Sequence, residues 1–106
     1  MDHRELAAEL FLSDCNCAQA VLEAFSDVTG LEKSFAAKLA SSFGGGMGRM
    51  REVCGAVSGM LMVAGLLYGY DDPGENDVNK KAHYQLVQNL AGQFREEIGS
   101  IICREI

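Results

Sequence analysis

Tryptophan is absent from this 106-residue chain, and proline occurs once, at Pro73. Basic residues are scarce: nine Lys and Arg against fifteen Asp and Glu leave a net charge of −6. Nucleic acid and anionic lipid are held by clusters of Lys and Arg that neutralise phosphate, so this balance argues against both as partners. Long hydrophobic runs are lacking too. The longest, residues 56–68, is broken by Ser58, Gly59 and Gly65 and falls short of the roughly 20 residues that span a bilayer. No membrane insertion is expected. The opening MDHRELAAELFLSD has acids on both flanks and no signal-peptide run, which points to the cytoplasm, where thiols stay reduced. C-x-x-C-H is missing, so covalent c-type haem attachment is excluded, and C-x-x-C, the strongest short metal motif, is missing as well.

What is present is helical periodicity. About half the residues are hydrophobic (48%), enough for the modest core of one domain over residues 1–106. Leu6, Ala7 and Leu10 share a face of the first segment. Ala18, Val21, Leu22 and Phe25 recur at i, i+3, i+4 and i+7, as one side of a helix does. Ser13 or Asp14 is the predicted cap there, and Gly30 the stop. Phe35, Leu39 and Phe43 form a third stripe. Residues 53–67 are apolar almost all round, the pattern of a helix buried by its neighbours or by a dimer mate. Gly55 and Gly59, one turn apart in it, clear a groove for close helix packing. The stretch YDDPGEND reads as a turn, and a last helix is predicted over about 75–98 with Val87, Leu90, Phe94 and Ile98 on one stripe. No strand alternation or repeat appears. The predicted fold is all-α: a single compact domain of four to five helices around the central apolar helix. That helix is more apolar than so short a chain covers easily, which predicts a homodimer.

Four cysteines in a reducing compartment read as catalytic, redox-sensing or metal-binding before they read as staples. Cys54 falls in the first turn of the central helix, with Arg49 and Arg51 just upstream. Unpaired helix-start amides and nearby cations both favour a thiolate. The bland alternative is a small buried apolar residue. Cys17 opens the second helix beside its buried face. Cys15 lies about 200° round from it, so the pair C-N-C does not easily face one site. Cys103 sits between Ile102 and Arg104 near the C-terminus. Met47, Met50, Met60 and Met62 are core filling by default. His83 reads as a core-edge residue, and His3 as part of a frayed terminus. The loop GGGMGRM lacks the G-K-[ST] ending of a phosphate loop; the amides of Gly45, Gly46 and Gly48 with Arg49 are candidates for a small-anion contact at most.

Three stretches, NCAQAVLEAF, ASSFGGGMGRMREVCGAVSGMLMVAGLLYG and FREEIGSIICREI, occur in an order and spacing that resemble the C_GCAxxG_C_C family of redox proteins. The resemblance runs from about Ser13 onward. It implies redox activity resting on recurring cysteines, which match Cys17, Cys54 and Cys103 here, with Gly55, Ala56 and Gly59 completing the central motif. Similar proteins tend to carry a further cysteine beyond Cys-Arg-Glu, and Cys15 is an addition to the pattern.

Two functional readings follow. In the first, cysteines from separate helices meet: Cys54 is the attacking thiolate, Cys17 the resolving thiol, Cys103 a third thiol, and the partner is a thiol substrate or redox protein. In the second, the same three cysteines are ligands of an iron–sulfur or zinc site completed by a fourth group. A helical interaction module with core cysteines is the blandest reading.

Overall fold

The computed structural model describes residues 1–71 and 78–106. Among these residues six α-helices follow one another: α1 (His3–Leu12), α2 (Cys17–Ala24), α3 (Ser26–Thr29), α4 (Lys33–Ala40), α5 (Gly55–Tyr68) and α6 (Val78–Ile98). Single 3-10 turns cover Ser41–Phe43 and Cys103–Glu105. Among the described residues no strand forms, and the one extended pairing is an isolated antiparallel bridge, Val53 to Ile102. The all-α class is thus observed. Most of the turn read from YDDPGEND, and the start of the last helix at residue 75, lie outside the described residues.

The second segment forms two helices where the periodicity predicts one. At Phe25 the backbone opens to φ −102°, ψ 15°, α2 ends, and α3 adds one turn before Gly30 stops it in the left-handed conformation (φ 77°). The predicted cap also moves. Asp14 takes φ 80°, and Asn16 caps α2 instead: its Oδ1 accepts the Gln19 N–H at 2.8 Å while its own N–H donates to Gln19 Oε1 at 3.0 Å. Two otherwise unpaired amides are satisfied reciprocally.

α1, α4 and α5 all pack on α2. The core is built from Ala18 and Leu22 of α2, Ala36 and Ala40 of α4 and Val63 of α5, with Phe25, Leu31, Phe43 and Met62 against them. So many small side chains let the helices approach closely, and this explains one departure from the predicted stripes. Phe35 and Leu39 are 56% and 45% exposed, whereas Ala36 and Ala40 are fully buried. A close seam against the alanines of α2 admits only α4's small residues. α5 closes on α2 through the two glycines expected to clear a groove: a Cβ on Gly59 would lie 2.9 Å from the Ala18 carbonyl oxygen and 2.9 Å from Val21 Cβ.

The periphery is less covered. α6 contains no buried residue; Val87, Leu90 and Phe94 are half-buried and Ile98 is exposed. Leu66, Leu67 and Tyr68, the end of α5, are exposed as well. The N-terminus, in contrast, is pinned where fraying was predicted. His3 stacks on Phe25 with ring centroids 4.3 Å apart, and its Nε2 lies 2.9 Å from Asp27 Oδ1. The Asp2 carboxylate accepts the Glu5 N–H at 2.7 Å, a bond that holds Asp2 below the usual carboxylate range and caps α1.

Candidate redox site

Three of the four cysteines sit where α2, α5 and the C-terminal segment meet. Cys17 is the first residue of α2, fixed there by the Asn16–Gln19 cap. That cap is itself tied to the α4 region, through Asn16 Nδ2 to the Ser41 carbonyl (3.1 Å) and Gln19 Nε2 to the Ala37 carbonyl (3.0 Å). Across the seam lies Gly55, the first residue of α5. A Cβ placed on it would come within 3.0 Å of Cys17 Cβ and 3.0 Å of the Phe43 carbonyl oxygen. Cys17 therefore packs against the residue that follows Cys54.

The glycine stretch, expected as a break, is a hydrogen-bonded left-handed coil. Gly45, Gly46, Met47, Gly48 and Arg49 all have positive φ, as does Arg51. The N–H groups of Arg49, Arg51 and Glu52 donate to the carbonyls of Gly44, Gly45 and Gly46 at 3.0, 3.1 and 3.0 Å. Left-handed backbone costs a non-glycine residue about 1–2 kcal/mol, so Met47, Arg49 and Arg51 hold strain that these bonds offset. The coil feeds residues 51–54 into register with the chain end. The Cys54 N–H donates to the Ile101 carbonyl at 2.7 Å, and the Cys103 N–H donates to that of Glu52. With Val53 opposite Ile102, Cys54 and Cys103 are diagonal neighbours on one face of the pairing, a relation that typically sets residues about 7–8 Å apart. This pairing continues through Cys54, whose extended ψ of 132° (φ −55°) makes it the N-cap of α5 and not a member of its first turn.

The Cys-Arg-Glu ending acts as a clamp. Arg104 Nη1 and Nη2 reach Glu52 Oε1 and Oε2 at 3.0 and 3.1 Å, a two-pronged pair, and Ser100 Oγ donates to Glu105 Oε1 while accepting the Ile102 N–H at 3.0 Å. The guanidinium that reaches a sulfur is that of Arg51, whose Nη1 donates to Cys103 Sγ at 3.9 Å; the sequence had placed this influence on Cys54. The Arg104 guanidinium holds the Glu52 carboxyl below the usual range. A depressed carboxylate pKa contributes stability that is present above the unfolded value, about 4.3, and is lost as pH falls through the folded one. Arg104→Ala is therefore expected to raise the alkylation rate of Cys103 severalfold at pH 7, read residue by residue by mass spectrometry.

Cys15 stands apart. Its Sγ donates to Glu23 Oε2 at 3.4 Å, and Glu23 is only 8% exposed. Burial first, then the Glu23 carboxylate, pushes the Cys15 thiol above its ordinary value. The sign of the linkage follows: the raised pKa favours folding below the unfolded thiol pKa, about 8.5, and that contribution is lost as pH rises through the folded value. Glu23→Gln is expected to speed Cys15 alkylation at pH 8, and an unchanged rate would mean the carboxylate is not what holds the proton. Sequence reading missed Glu23, since an acid eight residues from a cysteine carries no local signal. It also missed Asn16 and Gln19, although N-x-x-Q just before an apolar run is a capping-box spacing.

All four cysteines are free thiols, each partly buried. Among the described residues, no group of three or more His, Cys, Asp or Glu side chains is gathered as a metal ion requires. The three thiols as placed do not make a closed ligand set for zinc or an iron–sulfur cluster. The anion candidates divide. Gly45, Gly48 and Arg49 line an open cleft of about 330 Å3 with Asn16, Ser41 and Gly44. Gly46 is buried against the other side, where a Cβ would lie 2.7 Å from Cys103 Cβ. No helix among the described residues is long and apolar enough to cross a membrane.

Comparison with known proteins adds one match. No curated protein and no solved structure matches the chain. The family model described as "Putative redox-active protein (C_GCAxxG_C_C)" matches residues 15–106, a span that takes in Cys17, the glycine coil, Cys54 and the Cys103 clamp. The chain belongs to the C_GCAxxG_C_C family of redox-active proteins.

Proposed function

We propose that the protein carries out thiol–disulfide chemistry with Cys17 and Cys54 as its redox couple. The observation behind this reading is the seam of α2 and α5, where Cys17 Cβ lies against Gly55, one residue from Cys54. One protein thiolate attacks a substrate disulfide R–S–S–R′; the substrate S–S bond breaks, R′S⁻ leaves, and a mixed disulfide forms. The second thiolate attacks the protein sulfur of that bond and expels RS⁻. The chain gives up two electrons and the protons of two thiols, the substrate becomes two thiols, and a small dithiol or the cellular thiol pool resets the couple. Cys103 is the third thiol, diagonal to Cys54 across the backbone pairing, with Arg51 and the Glu52–Arg104 clamp beside it.

Thiol counting after mild oxidation with diamide tests the couple. The free thiols are expected to fall from four to two, and from three to one in Cys15→Ser. Cys17→Ser and Cys54→Ser are each expected to keep three. Four surviving thiols in the unsubstituted chain would overturn the reading. The exposed apolar end of α5 (Leu66, Leu67, Tyr68), with Ile98 of α6, supports a homodimer in the same proposal. Light scattering is then expected to read about twice the 11.4 kDa chain mass.

A further inference from the structure

An apolar groove of about 320 Å3 lies between α1, α2 and α5, walled by Ala7, Ala8 and Phe11, by Cys17 and Val21, and by Ala56. A second hollow of about 270 Å3 shares Val21 and Ala56 with it and runs on past Met60 to Phe25 and Phe94. Among the described residues, no charged side chain lines either one. Cys17 is the only group in the lining able to make or break a covalent bond, and Cys54 is set back from it at the head of α5. The Phe11 ring, 53% exposed, stands at the groove without a core role.

We propose that this groove receives the substrate of the Cys17–Cys54 couple, and that the substrate is a small disulfide carrying an uncharged aliphatic arm. Cys17 is the thiol that meets it and Cys54 the one that resolves, the reverse of the order suggested by helix-start position. The inference rests on the couple proposed above and adds its substrate class and the order of attack. Electrostatic matching selects the occupant: a charged arm would shed its hydration in this lining and find no partner, which is costly, whereas methylenes gain by leaving water. Size agrees. The groove volume is at the small end of ligand sites, and Cys17 to Phe25 spans about 12 Å along α2 at 1.5 Å per residue, room for several methylenes. Cys17 Sγ attacks the nearer substrate sulfur, forming the Cys17–S–S–R bond as R′S⁻ leaves and takes a proton from water. Cys54 Sγ then attacks Cys17 Sγ, the mixed bond breaks, RS⁻ leaves, and the protein disulfide remains for the thiol pool to reduce.

Alkyl methanethiosulfonates, which transfer R–S to a thiolate and release methanesulfinate, probe this with a graded arm. They are applied to the full chain and to Cys54→Ser, in which the label on Cys17 is not displaced. Relative to free cysteine, labelling of Cys17 is expected to quicken about two- to fourfold per added methylene from methyl to n-pentyl, the upper figure being full burial at ~0.8 kcal/mol per methylene. The negatively charged sulfonatoethyl reagent is expected to lag behind the ethyl one. Ala8→Glu and Phe11→Ser, at exposed positions on α1, are expected to flatten the chain-length dependence while helicity by circular dichroism stays unchanged. A flat series, a sulfonatoethyl rate equal to that of propyl, or label arriving first on Cys15 or Cys103 would overturn the proposal. A flat series with the diamide disulfide intact removes the groove alone. A steep series with four thiols surviving diamide removes the couple alone.

Discussion

Gly46→Ala is expected to lower the unfolding free energy by about 2–5 kcal/mol. Two effects combine. Gly46 has φ +73°, where a side chain costs about 1–2 kcal/mol, and the added Cβ would lie 2.7 Å from both Cys103 Cβ and the Glu52 amide nitrogen and 2.8 Å from Arg51 Cα. Overpacking against backbone of this kind costs about 1–3 kcal/mol. Gly30→Ala supplies the control: its φ is +77°, yet nothing lies within 4 Å, so strain alone applies and about 1–2 kcal/mol is expected. Chemical denaturation of both variants measures the difference. The same substitution is expected to push the C-terminal segment outward and speed alkylation of Cys103. Equal losses in the two variants would mean that the chain end does not close over the glycine coil.

Gly59→Ala and Gly65→Ala, six residues apart in α5, are expected to change stability in opposite directions. At Gly65 nothing lies within 4 Å, so alanine brings only its helix propensity and stabilises by about 1 kcal/mol. At Gly59 the Cβ would meet the Ala18 carbonyl oxygen and Val21 Cβ at 2.9 Å. Neither is the free end of a flexible side chain, so α2 and α5 must separate along the seam where Cys17 meets Gly55. Overpacking of about 1–3 kcal/mol outweighs the propensity gain of about 1 kcal/mol, leaving a net loss of up to about 2 kcal/mol. Thermal or denaturant unfolding shows the two signs directly. Stabilisation by both substitutions would contradict the close seam.

The class of the fold was legible because apolar spacing at helical period is a local property, and so was the spacing of Gly55 and Gly59, whose meaning depends only on one turn of helix. Other features depend on what lies across from a residue. Phe35 and Leu39 carry the larger apolar surface and so define the stripe in sequence. The alanines of α2 decide the matter the other way, and α4 buries Ala36 and Ala40. Cys54 was expected inside a helix start; its commitment to Ile101 depends on a segment 47 residues away that no local pattern announces. The Glu52–Arg104 pair and the Arg51–Cys103 contact were hidden for the same reason. Asn16 is different: its capping-box spacing with Gln19 was present in the sequence, beside Ser13 and Asp14, which are capping residue types as well.

The sulfur geometry joins these points into one account. A capping box fixes the start of α2 and with it Cys17. Gly55 lets the start of α5 come against Cys17, and a strained coil with a charged clamp pairs the backbone around Cys54 with that around Cys103. Cys15, turned into a proton-sharing contact with a buried acid, is left out. Non-reducing peptide mapping of the diamide-oxidised chain measures this arrangement most directly. The expected product is a single disulfide joining the Cys17 and Cys54 peptides, with Cys15 and Cys103 recovered as free thiols. A bond from Cys54 to Cys103 in its place, a bond that includes Cys15, or no bond at all would contradict the account.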